Sequence, residues 1–218
     1  MNETAALQRL LTFLSPAFPV GAFAWSAGLE TAIAEGTVTD STAVQNWIAG
    51  SLTHGGLRTD AILLSVAHRT EPDKLGDLAD LAIALTPSAE RTQETLQTGD
   101  AFVSAAAAWP SAVYERLPSP CPYPIAVGAI AAAHGIALES ALIAFLTAAV
   151  QSQVSVAVRL VPIGQTAGLA VIAALEPAVA NLADAAATAT LDDLGGIAYA
   201  TDIAQMRHET LPTRIFRS

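Results

Sequence analysis

Glu90 and Glu94 are the two carboxylates in this sequence best spaced for acid–base work, because positions four apart share one face of a helix. Arg91 lies between them and Gln93 and Gln97 flank them, so the stretch reads as a solvated polar face. The four histidines, His54, His68, His134 and His208, are far apart, and no two have the spacing of metal ligands. They read as capping or surface residues. His208-Glu209 is followed by Thr210-Leu211-Pro212 and lacks the second histidine of a zinc protease site. The only lysine, Lys74, has no Gly-rich turn before it, so the chain is not itself a P-loop GTPase or ATPase. No Gly-x-Ser-x-Gly nucleophile elbow is present. Cys121, the single cysteine, sits in Pro118-Ser119-Pro120-Cys121-Pro122-Tyr123-Pro124 and can form neither an internal disulfide nor a cysteine metal cluster. These residues assign no catalytic group, no metal site and no directly bound cofactor.

Binding chemistry is better represented. Arg207, Arg214 and Arg217 crowd into the last twelve residues with His208, Glu209, Ile215 and Phe216, in a chain of ten basic and twenty acidic residues. Arginine and aromatic side chains dominate binding hot spots, and a chain end is disordered unless it docks. The segment 207–218 is therefore expected to be a partner-binding tail on an all-helical domain spanning 1–206. A second unusual stretch, 15–30, sets Phe18, Phe23 and Trp25 among two prolines and two glycines. It is either a loop plugging the core or a rigid interface loop. A third, Arg159 to Gly168, places Pro162, Gly164 and Gln165 at a sharp break between apolar helices. A buried Gln165 would need hydrogen-bond partners and could fasten that bend.

The elements that must position these residues are helical nearly throughout. Thr4 can cap a first helix carrying Leu7, Leu10, Leu11 and Leu14. A second helix runs to about Glu35 and stops at Gly36. Ser41 caps a third, with Val44, Trp47, Ile48 and Leu52 inward. Helices follow over about 57–69, from Pro72, from Ser88 to 108, and at 123–134, 139–160, 164–175, 177–188 and 194–208, Pro177 separating two of them. The β-branched run 154–161 is the only candidate strand, and it has no visible partner. Trp109-Pro110 and the proline run 118–124 divide the chain as a linker or a bracing loop. Asp192-Asp193 before Leu194-Gly195-Gly196 reads as a turn and helix cap. The expected fold is an all-α, single-domain bundle of about ten helices.

Composition narrows the function classes. Apolar residues are 52% and charged residues 14% of the chain, against roughly 25% charged in average domains. A membrane span needs about 20 mostly apolar residues. The candidates 125–150 and 141–158 are interrupted by His134, Gly135 and Glu139 and by Gln151-Ser152-Gln153, so no membrane association is expected. Met1-Asn2-Glu3-Thr4 offers no basic start for a signal peptide, and with the lone cysteine this points to the cytoplasm. A net charge of −10 argues against nucleic-acid binding.

Three motifs in order resemble the UreF family of urease accessory proteins. Ser15-Pro16 through Val20-Gly21, Phe23, Ser26 and Gly28-Leu29-Glu30 is similar to its N-terminal signature. Val161-Pro162-Ile163-Gly164-Gln165 is similar to its central element, and Met206-Arg207-His208-Glu209-Thr210 with Arg214-Ile215-Phe216-Arg217-Ser218 to its ending. Ala22, Trp25 and Ala27 depart from that pattern. The resemblance implies a non-catalytic helical protein that dimerises and bridges UreD (also called UreH) and the GTPase UreG. Together they would deliver nickel to apo-urease, with nickel and GTP handled by the partners. It places Arg207, His208, Glu209, Arg214, Phe216 and Arg217 in a tail that orders on complex formation. Gly21, Phe23, Ser26 and Glu30 would lie near the dimer and GTPase-facing surface. An alternative role is a GTPase-activating regulator of UreG that supplies an arginine, with Arg159, Arg207 and Arg214 as candidates.

Overall fold

The computed structural model describes residues 3–218; Met1 and Asn2, read above for a leader signal, lie outside them. Ten α-helices make up the described residues: α1 Glu3–Phe13, α2 Leu29–Ala34, α3 Ser41–His54, α4 Gly56–Arg69, α5 Leu75–Ala84, α6 Ala89–Ala106, α7 Tyr123–Ala133, α8 Leu138–Leu160, α9 Gln165–Thr188 and α10 Tyr199–His208. No strand occurs among the described residues, and 154–161 is the end of α8. The protein is an all-α, single-domain bundle.

α7 is the axis of the bundle. It is apolar all round, as a central helix must be, and Pro124 to Ala131 are buried without a break. α4 and α6 lie against it with α8 and α5, and α3 and α9 pack outside, on α4, α8 and each other. Close crossing depends on two glycines. A Cβ at Gly128 would stand 2.4 Å from the Leu64 carbonyl oxygen of α4, and one at Gly99 of α6 would stand 1.9 Å from the Cys121 carbonyl oxygen. The proline run is thus a bracing loop pressed on α6. Its backbone is paired there, Cys121 N–H to Asp100 at 2.9 Å and Tyr123 N–H to Thr95 at 3.2 Å.

Several boundaries differ from the sequence expectation. Asp40, not Ser41, caps α3 by accepting from the Ala43 N–H at 2.8 Å. α1 is already helical at Glu3, so Thr4 lies inside it, and Leu7 and Leu11 face outward while Ala6, Leu10 and Phe13 are buried. Pro177 does not divide two helices; it lies within α9. An interior proline loses one hydrogen bond and crowds the preceding turn. Here Gly168, Val171, Leu175, Val179, Ala183 and Ala186 form one continuous buried stripe, and its packing outweighs that local cost. α10 starts only at Tyr199, after a 3-10 turn over Leu191–Asp193 in which Asp193 accepts from the Thr190 N–H at 2.8 Å.

α8 and α9 are long and apolar enough to cross a membrane. α8 is the inner of the two, with Phe145, Leu146 and Val150 in the core. The apolar stretch 125–150 is not one helix, because Gly135 turns the chain between α7 and α8 at φ +61°.

Candidate functional site

The N-terminal block and the C-terminal segment, 190 residues apart in the chain, form one structure. Gly21 adopts φ +74° to open the short 3-10 turn Ala22–Ala24. No atom lies near its missing side chain, so the position needs glycine for conformation and not for space. The loop both plugs the core and presents a surface. Phe18 and Trp25 are buried, whereas Phe23 is 41% exposed. Phe18 joins Phe13, Phe102 and Trp109 in an aromatic cluster.

The segment 207–218 is seated on its own chain. Phe216, His208 and Ser218 are buried. The extended backbone is tied at its end, with Ser26 N–H donating to the Ser218 carbonyl oxygen at 2.8 Å and Arg217 N–H to that of Ala24 at 2.7 Å. The Ser26 hydroxyl contacts the same Ser218 oxygen and accepts from the Glu30 N–H at 3.2 Å, which starts α2. Arg217 lies over the Trp25 ring at 4.7 Å. Arg159 stands 5.9 Å from the Phe23 ring and 6.0 Å from the Phe216 ring.

Glu30 is the centre of this seat. One of its oxygens accepts from the Ile215 N–H at 2.7 Å. The other accepts from the Phe216 N–H at 3.0 Å and meets His208 Nε2 at 2.9 Å. On the far side of the ring, His208 Nδ1 meets Glu90 at 2.7 Å, and Arg214 donates to the second Glu90 oxygen at 2.7 Å. The imidazole ring is thus held between two carboxyl groups, with Arg214 beside one of them. Arg207 forms an exposed pair with Glu35 at 3.2 Å, and Glu209 accepts from the Ala89 N–H at 2.9 Å, capping α6. Four elements thus converge: α2, the start of α6, α10 and the terminal strand-like segment.

Sequence reasoning missed Glu90 and its neighbours. Glu90, Arg91 and Glu94 do not form a solvated face: Glu90 is buried, and Arg91 pairs with Asp60 and, at 3.3 Å, with Glu94, all three side chains being largely shielded. A signal was available, since a histidine and an arginine in an otherwise acidic protein need carboxylate partners. The histidines do not meet. His54 is exposed, His68 Nε2 donates to the Ile136 carbonyl at 2.9 Å, and His134 is buried between Arg9 at 3.0 Å and the Tyr114 hydroxyl at 3.1 Å. Among the described residues no group of three or more His, Cys, Asp and Glu could hold a metal ion. Burial, reinforced by Asp100, pushes the Cys121 thiol up to about 12, which makes it a poor nucleophile.

The third motif is not part of the seat. Pro162, Gly164 and Gln165 turn the chain from α8 into α9, but Gln165 is exposed rather than buried at the bend. The helix pair is held instead at Gly168, where a Cβ would stand 2.9 Å from Val158.

Outward from the seat, α10 shows Tyr199, Ile203 and Met206 on one face at helical spacing, and Ile215 lies exposed beside Arg214 in the tail.

Comparison with known proteins covers both halves of this structure. A family model described as UreF matches residues 38–176, which excludes the N-terminal block and the tail. Relatives match over the full length. The chain is 51% identical to the urease accessory protein UreF of Rhizobium etli (strain CIAT 652) over 219 residues, covering 100% of this chain and 98% of that protein. It is 50% identical to the protein of the same name from Agrobacterium fabrum (strain C58), with the same coverage. It is 47% identical to that from Rhodopseudomonas palustris (strain BisB18), over 99% of this chain and 93% of the relative.

Proposed function

The chain belongs to the UreF family of urease accessory proteins, and from that premise we propose that it works in the cytoplasm as a non-catalytic bridge in urease maturation. In this reading it dimerises, joins UreD/UreH to the GTPase UreG, and helps them deliver nickel to apo-urease. Nickel and GTP are held by the partners.

The observation that carries this reading is the surface built around the tail. Its buried side is committed to Glu30, Glu90 and Ser26 within the chain. Its outer side shows Tyr199, Ile203, Met206 and Ile215, with Arg207 and Arg214 at the edge. A row of apolar groups rimmed by arginines matches the anatomy of a protein interface. Because the segment is already ordered, a partner gains those contacts without the entropy cost of folding a disordered strand.

Introducing a charge on the outer side tests it. Ile203→Asp and Ile215→Asp should keep the thermal midpoint close to that of the parent and lose co-purification with UreD and UreG. Full complex formation and urease activation by both variants would refute the bridging role of this surface.

The regulator reading has one observation in its favour. Arg207 and Arg214 are paired with carboxylates, whereas Arg159 has only aromatic rings against its guanidinium among the described residues. If Arg159 completes the active site of UreG, Arg159→Ala should bind UreG normally and abolish any acceleration of GTP hydrolysis.

A further inference from the structure

A cavity of about 120 Å³ lies between α3, α4, α6, α8 and α10, with Asp60, Arg91, Glu94, Thr98, Gln153 and Gln205 in its wall. Seven buried side-chain polar atoms lack a hydrogen-bond partner among the described residues, and five of them belong to residues lining this one cavity: Trp47 Nε1, Glu94 Oε2, Thr98 Oγ1, Gln153 Oε1 and Gln205 Oε1. Such atoms are rare in folded proteins, because a buried polar atom left unpaired loses its hydration with nothing in return. Their concentration in one space points to a guest that satisfies them together.

The chemistry of the wall selects the guest. Gln205 donates its amide N–H to the Thr201 carbonyl at 3.4 Å, which turns its oxygen the other way. Glu94 Oε2 forms the 3.3 Å ion pair with Arg91 and Ser218 also faces this carboxyl group, but no well-aligned hydrogen bond reaches Oε2, so it keeps acceptor capacity toward the cavity. The orphaned set therefore contains three carboxylate or amide oxygens, one hydroxyl and a single N–H. Arg91 balances one of the two carboxylates, Asp60 and Glu94, and ionisation of both leaves one negative charge. An anion would meet mostly acceptors, and an apolar guest would leave all of them unpaired. Burial pushes both carboxyl groups upward, and Arg91 only partly offsets it, so a second positive charge would relieve the same strain.

We propose that this cavity binds a small cation that donates hydrogen bonds, of the ammonium or primary alkylammonium class. Glu94 supplies the charge, and Thr98, Gln153 and Gln205 accept N–H donors around it. Among the described residues no three His, Cys, Asp or Glu converge to coordinate a metal directly, and the acceptor set suits N–H donors. The site does not depend on the bridging role proposed above.

Thermal unfolding of the purified full-length protein in ammonium, sodium and tetramethylammonium chlorides at equal ionic strength tests it. A ligand that binds only the folded state raises the midpoint in proportion to its occupancy. Ammonium should raise the midpoint in a saturable way beyond the other two salts, tetramethylammonium being a cation with no N–H. Glu94→Gln should erase that increment. Thr98→Val, which keeps the shape and removes one acceptor, should weaken ammonium binding about tenfold, and it carries the test if Glu94→Gln does not fold. Equal midpoints in all three salts would mean that the cavity holds only water. An undiminished ammonium increment in Glu94→Gln, or an unchanged ammonium affinity in Thr98→Val, would place the binding elsewhere. Either result overturns the proposal.

Discussion

Glu30 commits both oxygens to the C-terminal segment, and among the described residues no other touches two tail amides and His208 at once. Its removal leaves buried donors without acceptors, a loss of about 3–5 kcal/mol for a buried pair broken from one side. Glu30→Ala should therefore lower stability by about that amount in urea unfolding and open the tail to limited proteolysis. Another residue-level effect comes from His134, whose protonation is disfavoured first by burial and then by Arg9. Its folded pKa lies below the ordinary 6.5, so the unfolded chain takes up the proton first. The associated stability is present above pH 6.5 and is lost as pH falls from there through the folded value. Unfolding free energies across that window should fall less steeply in His134→Gln than in the parent chain.

The elements meet at points where side chains have been removed. At Gly99 the proline loop crosses α6 so closely that a Cβ would overlap the Cys121 carbonyl. Gly99→Ala should cost about 3 kcal/mol through forced backbone displacement. Gly164→Ala at the α8–α9 turn should be nearly neutral, since its backbone is ordinary and nothing lies near. Comparing the two thermal midpoints checks this; equal losses would contradict the crossing. The helices themselves were mostly legible from periodicity and caps, and Val44, Trp47, Ile48 and Leu52 do face inward. The error at Pro177 has a specific cause. Local proline chemistry argues for a break, and only the continuous stripe from Gly168 to Ala186 against neighbouring helices shows why none occurs.

For the whole molecule, the tail is part of the fold as well as of the surface. By sequence, 207–218 is a tail set apart from a helical domain over 1–206. Deleting it would withdraw Phe216 and His208 from buried positions and leave Glu30 and Glu90 without the imidazole between them. The truncated chain should keep its helical circular dichroism but unfold at a clearly lower temperature. Loss of partner binding by truncation alone would then be ambiguous, which is why the Ile203 and Ile215 variants are the cleaner probe of the surface. A truncated protein with an unchanged midpoint would show that the seat contributes nothing to stability.

Composition, periodicity and capping residues determined by themselves that this chain is a helical bundle, and three short motifs determined its family. Those signals are local, or carried by residue identity, so no coordinates are needed to read them. Tertiary structure alone decided the partners of the charged residues. Glu90 and Glu94, neighbours on one helix, face different destinations: one holds His208 and Arg214 from the far end of the chain, the other lines a polar cavity with Arg91 and Asp60. Spacing within a helix says which residues share a side, but not what a chain segment more than a hundred residues away brings to that side. Burial and charge pairing are properties of the assembled core, and they turned an apparently solvated stripe into the anchor of the C-terminus.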